Sequence, residues 1–251
     1  MIDFGLLEAK GFVRVRNLVD QTSLAEFETT MSRLAAAGLE KKGRDPGDEE
    51  PMSALLKCGG EYRVQLFGRL KNLNIIQELG RSVYTRLSDE GLLDWADMSV
   101  PMIYPSLRAD PPGETKYLLP FHQDYATPCS KAWRVWVPLR DANARSGTMK
   151  VVPGTHRNGY IEHDTSDPSH PVVHEEAFGG IEPEVVELPA GDGLIISPLL
   201  VHASVPAVAN RMKYVLLVQL QDLTTLADFD DPSDPIRQRI EMTKTRDAVR
   251  N

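Results

Sequence analysis

The stretch on which the fold turns is Trp133-Arg134-Val135-Trp136-Val137-Pro138-Leu139. Read with a period of two, Arg134 and Trp136 share one face and Trp133 and Val135 the other, the pattern of a strand. Outward from it, strand-like segments alternate with Pro and Gly punctuation: residues 98–104 and 117–121 before it, and 149–152, 184–188, 194–196 and 213–220 after it. Several short strands with turn signals between them predict an all-β sandwich or barrel rather than βαβ units. Among them, residues 162–180 make a polar stretch long enough to serve as a lid.

Upstream of Trp95 the chain reads as mostly helical. Gly11-Phe12-Val13-Arg14-Val15 alternates as a short strand. A helix then follows, with Ser23 and Glu26 at capping-box spacing, Leu24, Phe27, Met31 and Leu34 at helical intervals, and Gly38 closing it. Residues 43–51 carry Asp45, Asp48, Glu49 and Glu50 and read as a flexible loop. A second helix spans about 70–87, with Leu73, Ile76, Leu79 and Val83 on one face. The tail, residues 236–250, is a helix candidate with a solvated, mixed-charge face. The expectation is one domain over 1–251: a helix-rich part to about 95, a β core over 96–225 and a tail helix over 226–251.

Composition narrows the function classes. The 251 residues carry 28 Lys and Arg against 36 Asp and Glu, a net charge of −8 at pH 7, the reverse of a nucleic-acid binder. No apolar run is long enough to span a membrane. Met1-Ile2-Asp3-Phe4 lacks the basic start of a signal peptide, so a cytoplasmic protein is expected. Two cysteines, Cys58 and Cys129, make no disulfide framework and read as reduced thiols, Cys129 as a small wall residue near the site described next.

The chemistry-bearing segment is Pro120-Phe121-His122-Gln123-Asp124. On a strand, His122 and Asp124 point to one face and can converge on one ion. A third ligand must come from far along the chain, and His202 is well placed, following the apolar run 194–196. Two His and one carboxylate with open positions suit non-haem Fe(II) and O2 chemistry. The motif alone is weak: His174-Glu175-Glu176 has the same spacing in the polar stretch, without apolar sequence to fix its rotamers. His156, in Pro153-Gly154-Thr155-His156, sits in a turn that ends a strand, and His163 and His170 read as solvated. Arg134 and Trp136 read equally as a surface charge and a core residue, or as residues at the barrel mouth that contact substrate. In Tyr62-Arg63-Val64-Gln65-Leu66-Phe67, alternation groups Arg63, Gln65 and Phe67, and makes Gln65 a candidate substrate hydrogen-bonder.

These pieces together resemble the phytanoyl-CoA dioxygenase family of Fe(II)/2-oxoglutarate oxygenases. The resemblance rests on Phe121-His122-Gln123-Asp124, Trp136-Val137-Pro138-Leu139-Arg140-Asp141, Ser146-Gly147-Thr148-Met149-Lys150-Val151-Val152-Pro153-Gly154-Thr155-His156 and His202-Ala203-Ser204, in the family's order, with 11–15 as its first strand. It implies a double-stranded β-helix (jelly-roll) core with flanking helices, and His122, Asp124 and His202 as iron ligands. It also implies 2-oxoglutarate and O2 as cosubstrates, a small-molecule substrate and release of succinate and CO2. Family members that halogenate lack the carboxylate that Asp124 supplies here. The resemblance further implies a cation after the second His to anchor 2-oxoglutarate, and here the sequence departs from the family's Arg. Guanidinium geometry favours Arg211, ungapped spacing favours Lys213, and Ser204 is a hydroxyl partner for the same carboxylate. Two other classes remain open: a metal- or small-molecule-binding β-barrel without redox turnover, and a cupin-like isomerase or hydrolase.

Overall fold

Alternation along the strands is what builds the core. The computed structural model describes residues 1–70, 72–92, 105–124, 132–167 and 170–221. The strands among them are β1 (Phe12–Val15), β2 (Ser106–Asp110), β3 (Ala132–Pro138), β4 (Thr148–Val151), β5 (Glu184–Val185), β6 (Gly193–Ile196), β7 (His202–Val205) and β8 (Lys213–Gln221). They form a five-stranded antiparallel sheet, β1-β6-β3-β8-β2, and a smaller one, β5-β4-β7. From β2 onward the chain passes back and forth between the two sheets. The segment carrying His122 lies along β7 as an irregular fourth member of the smaller sheet, bridging His122 to His202. That winding is the double-stranded β-helix pattern, with β1 added at an edge of the larger sheet.

On β3, Val135 and Val137 pack with Tyr214, Leu216 and Val218 of β8 against the helices, while Trp136 turns to Met149, Val151, Leu194 and Val215 between the sheets. Each such buried aliphatic side chain contributes roughly 1.5–3 kcal/mol relative to exposure. The helical layer comprises α1 (Phe4–Lys10), α2 (Gln21–Lys42), α3 (Pro51–Leu56), α4 (Gly60–Leu70) and α5 (Asn74–Asp89). No helix among the described residues is long and apolar enough to cross a membrane.

Several expectations are corrected. The second helix of the sequence reading is α5, and the first is α2, which starts earlier and ends later than expected. Asp20 caps α2 by accepting the Ser23 N–H at 2.8 Å, and Gly43 (φ 60°) closes it. Gly38 lies inside that helix because Leu55 packs where its Cβ would be, 2.7 Å away. Residues 62–67 are helical, not extended: Leu66 and Leu70 are buried four apart, and Glu61 and Gln65 pair at the same interval. Arg63 and Gln65, two apart on a helix, therefore do not share a face. Residues 117–121 form no strand, since Pro120 has no N–H to give a ladder. The strand candidate 98–104, the tail helix over 236–250 and Cys129 lie outside the described residues. Within the lid candidate, the Val173 N–H donates to Phe121 O at 2.7 Å and Phe178 meets Phe121 edge-on at 4.7 Å, which ties residues 173–178 to the segment that carries His122.

Candidate metal centre

The same local device aims both imidazoles. The Nδ1–H of His122 donates to the carbonyl of Pro120 at 2.8 Å, and that of His202 to the carbonyl of Leu200 at 2.9 Å. A carbonyl accepts and cannot donate, so in each ring the proton sits on Nδ1 and the lone pair on Nε2. Paired backbone bonds of 2.9 and 3.0 Å lock the two residues side by side, with ring centroids 4.3 Å apart. The Asp124 N–H donates to Pro198 O at 2.9 Å. Its Oδ1 lies 3.9 Å from His122 Nε2, and its Oδ2 meets Arg134 Nε at 3.0 Å. One ligand atom from each of His122, Asp124 and His202 falls within 4.8 Å of the others. Burial, aided by the neighbouring His202 ring, pulls the His122 imidazole down to about 4, so at neutral pH it presents a free lone pair. Two imidazole nitrogens and one carboxylate are the donor set of a non-haem Fe(II) facial triad.

The triad opens into a cavity of about 120 Å³ between the sheets, whose polar lining includes Arg108, Arg134, Ser204, Lys213 and Gln219. The structure thus brings Arg134, Trp136, Ser204 and Lys213 to one cavity with the three ligand candidates. It does not bring Gln65, which is exposed on α4, or Arg211, which is exposed in the bend before β8. Lys213 is the first residue of β8 and faces inward, 2.8 Å from Asp110 on the paired strand. Arg108 meets the same Asp110 oxygen at 2.8 Å. Burial works to raise the Asp110 carboxyl, but the charges of Arg108 and Lys213 outweigh it and leave its pKa below the usual carboxylate value. Burial draws the Lys213 ammonium below the usual lysine value, against the pull of Asp110. Two cations share one acid, which leaves a positive balance facing the cavity.

The sequence reading missed Arg108, Asp110 and Gln219. Counting by twos from Lys213 along 213–220 would have found Gln219. Arg108 and Asp110 lie beyond the segment read as a strand. His163 is buried, not solvated: its Nε2 accepts the Gln123 N–H at 2.9 Å. His202, which follows the run 194–196 in sequence, opens β7 in the other sheet. His156 packs over Gly11, its Nε2 bonded to Glu8 O at 3.0 Å, away from the triad. Thr155 beside it is fully buried and accepts the Val201 N–H at 3.0 Å, pinning the residue before His202.

A family model described as phytanoyl-CoA dioxygenase matches residues 7–213. No curated protein matches the sequence at a significant level. Among solved structures, EvdO2 from Micromonospora carbonacea var. aurantiaca, complexed with 2-oxoglutarate, is similar at 17% identity and TM-score 0.58, over 93% of this chain and 94% of that one. The epimerase SnoN in complex with Fe3+, α-ketoglutarate and nogalamycin RO is similar at 18% identity and TM-score 0.51, over 89% of this chain and 84% of that one. The non-haem α-ketoglutarate-dependent carbocyclase SnoK from nogalamycin biosynthesis is 19% identical at TM-score 0.50, over 87% of this chain and 82% of that one. At these identities the likeness is one of fold.

Proposed function

The chain belongs to the phytanoyl-CoA dioxygenase family, and from that membership and the facial triad we propose that it is an Fe(II)- and 2-oxoglutarate-dependent oxygenase that hydroxylates a small molecule. The observation that carries this reading is the convergence of two Nε2 lone pairs and one carboxylate oxygen within 4.8 Å on a cavity that also holds buried cations. Bound by these residues, Fe(II) with 2-oxoglutarate and O2 supplies an oxidation in which R–H becomes R–OH while 2-oxoglutarate becomes succinate and CO2.

The chain's own residues do the rest. His122, Asp124 and His202 hold the metal on one side and leave the cavity side open. Arg134 occupies Asp124 Oδ2, which reserves Oδ1 for the metal. Lys213 would receive the distal carboxylate of 2-oxoglutarate with the Ser204 hydroxyl beside it, its ammonium held by Asp110, which Arg108 fixes in turn. Arg134 and Trp136, on β3 beside β8, meet the substrate. The apolar lining from Leu217, Met149 and Ile196 restricts water around the reacting centre.

The test is succinate formation by the purified protein under Fe(II), 2-oxoglutarate and O2, followed by a screen of small molecules for stimulated release. The reading requires activity that Asp124→Ala abolishes. Absence of succinate formation in the folded, iron-loaded protein, with or without added small molecules, would favour a non-redox binding protein of the same fold.

A further inference from the structure

Gln123, the residue between two of the ligand candidates, has 0% exposure and commits its side chain and its backbone N–H inside the protein. Its side-chain Nε2 donates to Gly159 O at 2.8 Å and to Leu199 O at 2.6 Å, and its Oε1 accepts the Ile161 N–H at 2.9 Å. Its backbone N–H donates to Nε2 of His163 at 2.9 Å. His163 repeats the device of the two ligand imidazoles: its Nδ1–H donates to the carbonyl of Ile161 at 2.7 Å, which leaves Nε2 as the acceptor. Tyr160 stacks on its ring at 5.3 Å and 12°. One residue thereby joins three segments that no strand ladder connects: residues 120–124, residues 159–163 after β4, and the turn at 197–200 that leads into His202.

We propose that Gln123 and His163 are positioning residues of the metal centre, acting through His122 and Asp124 without touching the ion. The inference rests on the reading of the triad as a metal site. The extended backbone at 122–124 has β7 on one side, where His122 pairs with His202, and, among the described residues, no strand on the side to which the Gln123 N–H points. A buried N–H without an acceptor turns to find one. Here that rotation would swing the peptide plane between His122 and Gln123, whose carbonyl accepts the His202 N–H at 3.0 Å, and so disturb the backbone between His122 and Asp124. His163 supplies an acceptor that cannot donate, and the Gln123 amide fixes the distance between the 120–124 segment and the turn before His202. Groups of this kind around a ligand shell change metal affinity by about 10- to 100-fold when removed.

The test uses the full chain with Co(II) as the probe, followed through its visible ligand-field absorption, in the wild type, His163→Leu, His163→Gln and Gln123→Leu. Circular dichroism melts of each metal-free protein report the fold separately. Expected is a loss of Co(II) affinity of about tenfold or more in the two Leu variants. His163→Gln, whose carbonyl oxygen reaches where Nε2 accepts, recovers most of the loss. Folded Leu variants with Co(II) affinity and spectrum within about threefold of wild type overturn the proposal. If a Leu variant does not fold, His163→Gln against His163→Asn decides, because the shorter Asn side chain falls short of the Gln123 N–H; equal affinities overturn the proposal. Failure of the wild type to bind Co(II) at all counts instead against the triad as a metal site, and the two failures are distinct.

Discussion

Lys213 enters the cavity because β8 begins at it, and Val215, Leu217 and Gln219 follow on the same face. Arg211, two residues earlier, has the better geometry for a carboxylate but lies outside the strand and in solvent. Removing one partner of a buried charge pair costs roughly 2–5 kcal/mol, on the order of 30-fold or more in affinity. Lys213→Ala should therefore weaken 2-oxoglutarate binding by about that factor while Arg211→Ala leaves it within about twofold, as titration calorimetry of the metal-loaded protein would measure. The reverse order would move the anchor out of the cavity. His122 and Asp124 were legible because their spacing is a local property of the sequence, whereas His202, far along the chain, was placed by its order among the family-like segments. The choice between Arg211 and Lys213 was not legible, because it depends on where a strand starts, and strand ends are set by pairing partners such as Asp110 rather than by local composition.

At the scale of elements, contacts decide where propensity does not. Gly80 lies inside α5, where Ala would ordinarily gain about 1 kcal/mol. A Cβ there would stand 2.0 Å from Cγ of Pro105, part of a rigid ring. Gly80→Ala should therefore destabilise, by roughly 1–3 kcal/mol, and lower the urea midpoint. An unchanged or raised midpoint would show that α5 can move away from Pro105. Arg140 likewise ties the helical layer to the sheet: its Nη2 meets Glu28 of α2 at 2.7 Å and its Nη1 meets Glu50, the residue just before α3, at 2.7 Å. It also donates to Met212 O at 3.1 Å and lies 4.7 Å over the Tyr214 ring. Breaking this partly buried network with Arg140→Ala should cost roughly 3 kcal/mol, seen as a lower melting temperature. The long helices were legible from apolar intervals, whereas α1, α3 and α4 are too short or too polar for periodicity to mark. The 62–67 segment shows why: six residues fit a period of two as readily as 3.6, and burial of Leu66 with Leu70 settles it.

For the molecule as a whole, the metal centre is a stability element as well as a site. In the metal-free fold His122 is held at about 4, against 6.5 for an ordinary imidazole, chiefly by burial. The unfolded chain binds that proton more readily, so between these values the unfolded state carries more protons and stability rises with pH. The contribution is complete above about 6.5 and is lost as the pH falls toward 4. From pH 7 to pH 5 the loss from this one group is about 2 kcal/mol. Other groups titrate over the same range, so the comparison is between wild type and His122→Gln, which lacks the group. Urea midpoints of the two metal-free proteins should fall by different amounts between pH 7 and pH 5, with the steeper fall in the wild type. A ligand at 100 times its Kd adds about 2.7 kcal/mol, and at this chain length each kcal/mol moves the midpoint by about 2–4 °C. Loading with Fe(II) under anaerobic conditions should therefore raise the melting temperature by about 5–10 °C at pH 7. The rise should fall away only below about pH 5, where protons reach the His122 imidazole and compete with the metal for it. Parallel pH slopes in wild type and His122→Gln would overturn the lowered His122 imidazole, and no melting shift on metal addition would overturn the triad as a metal centre.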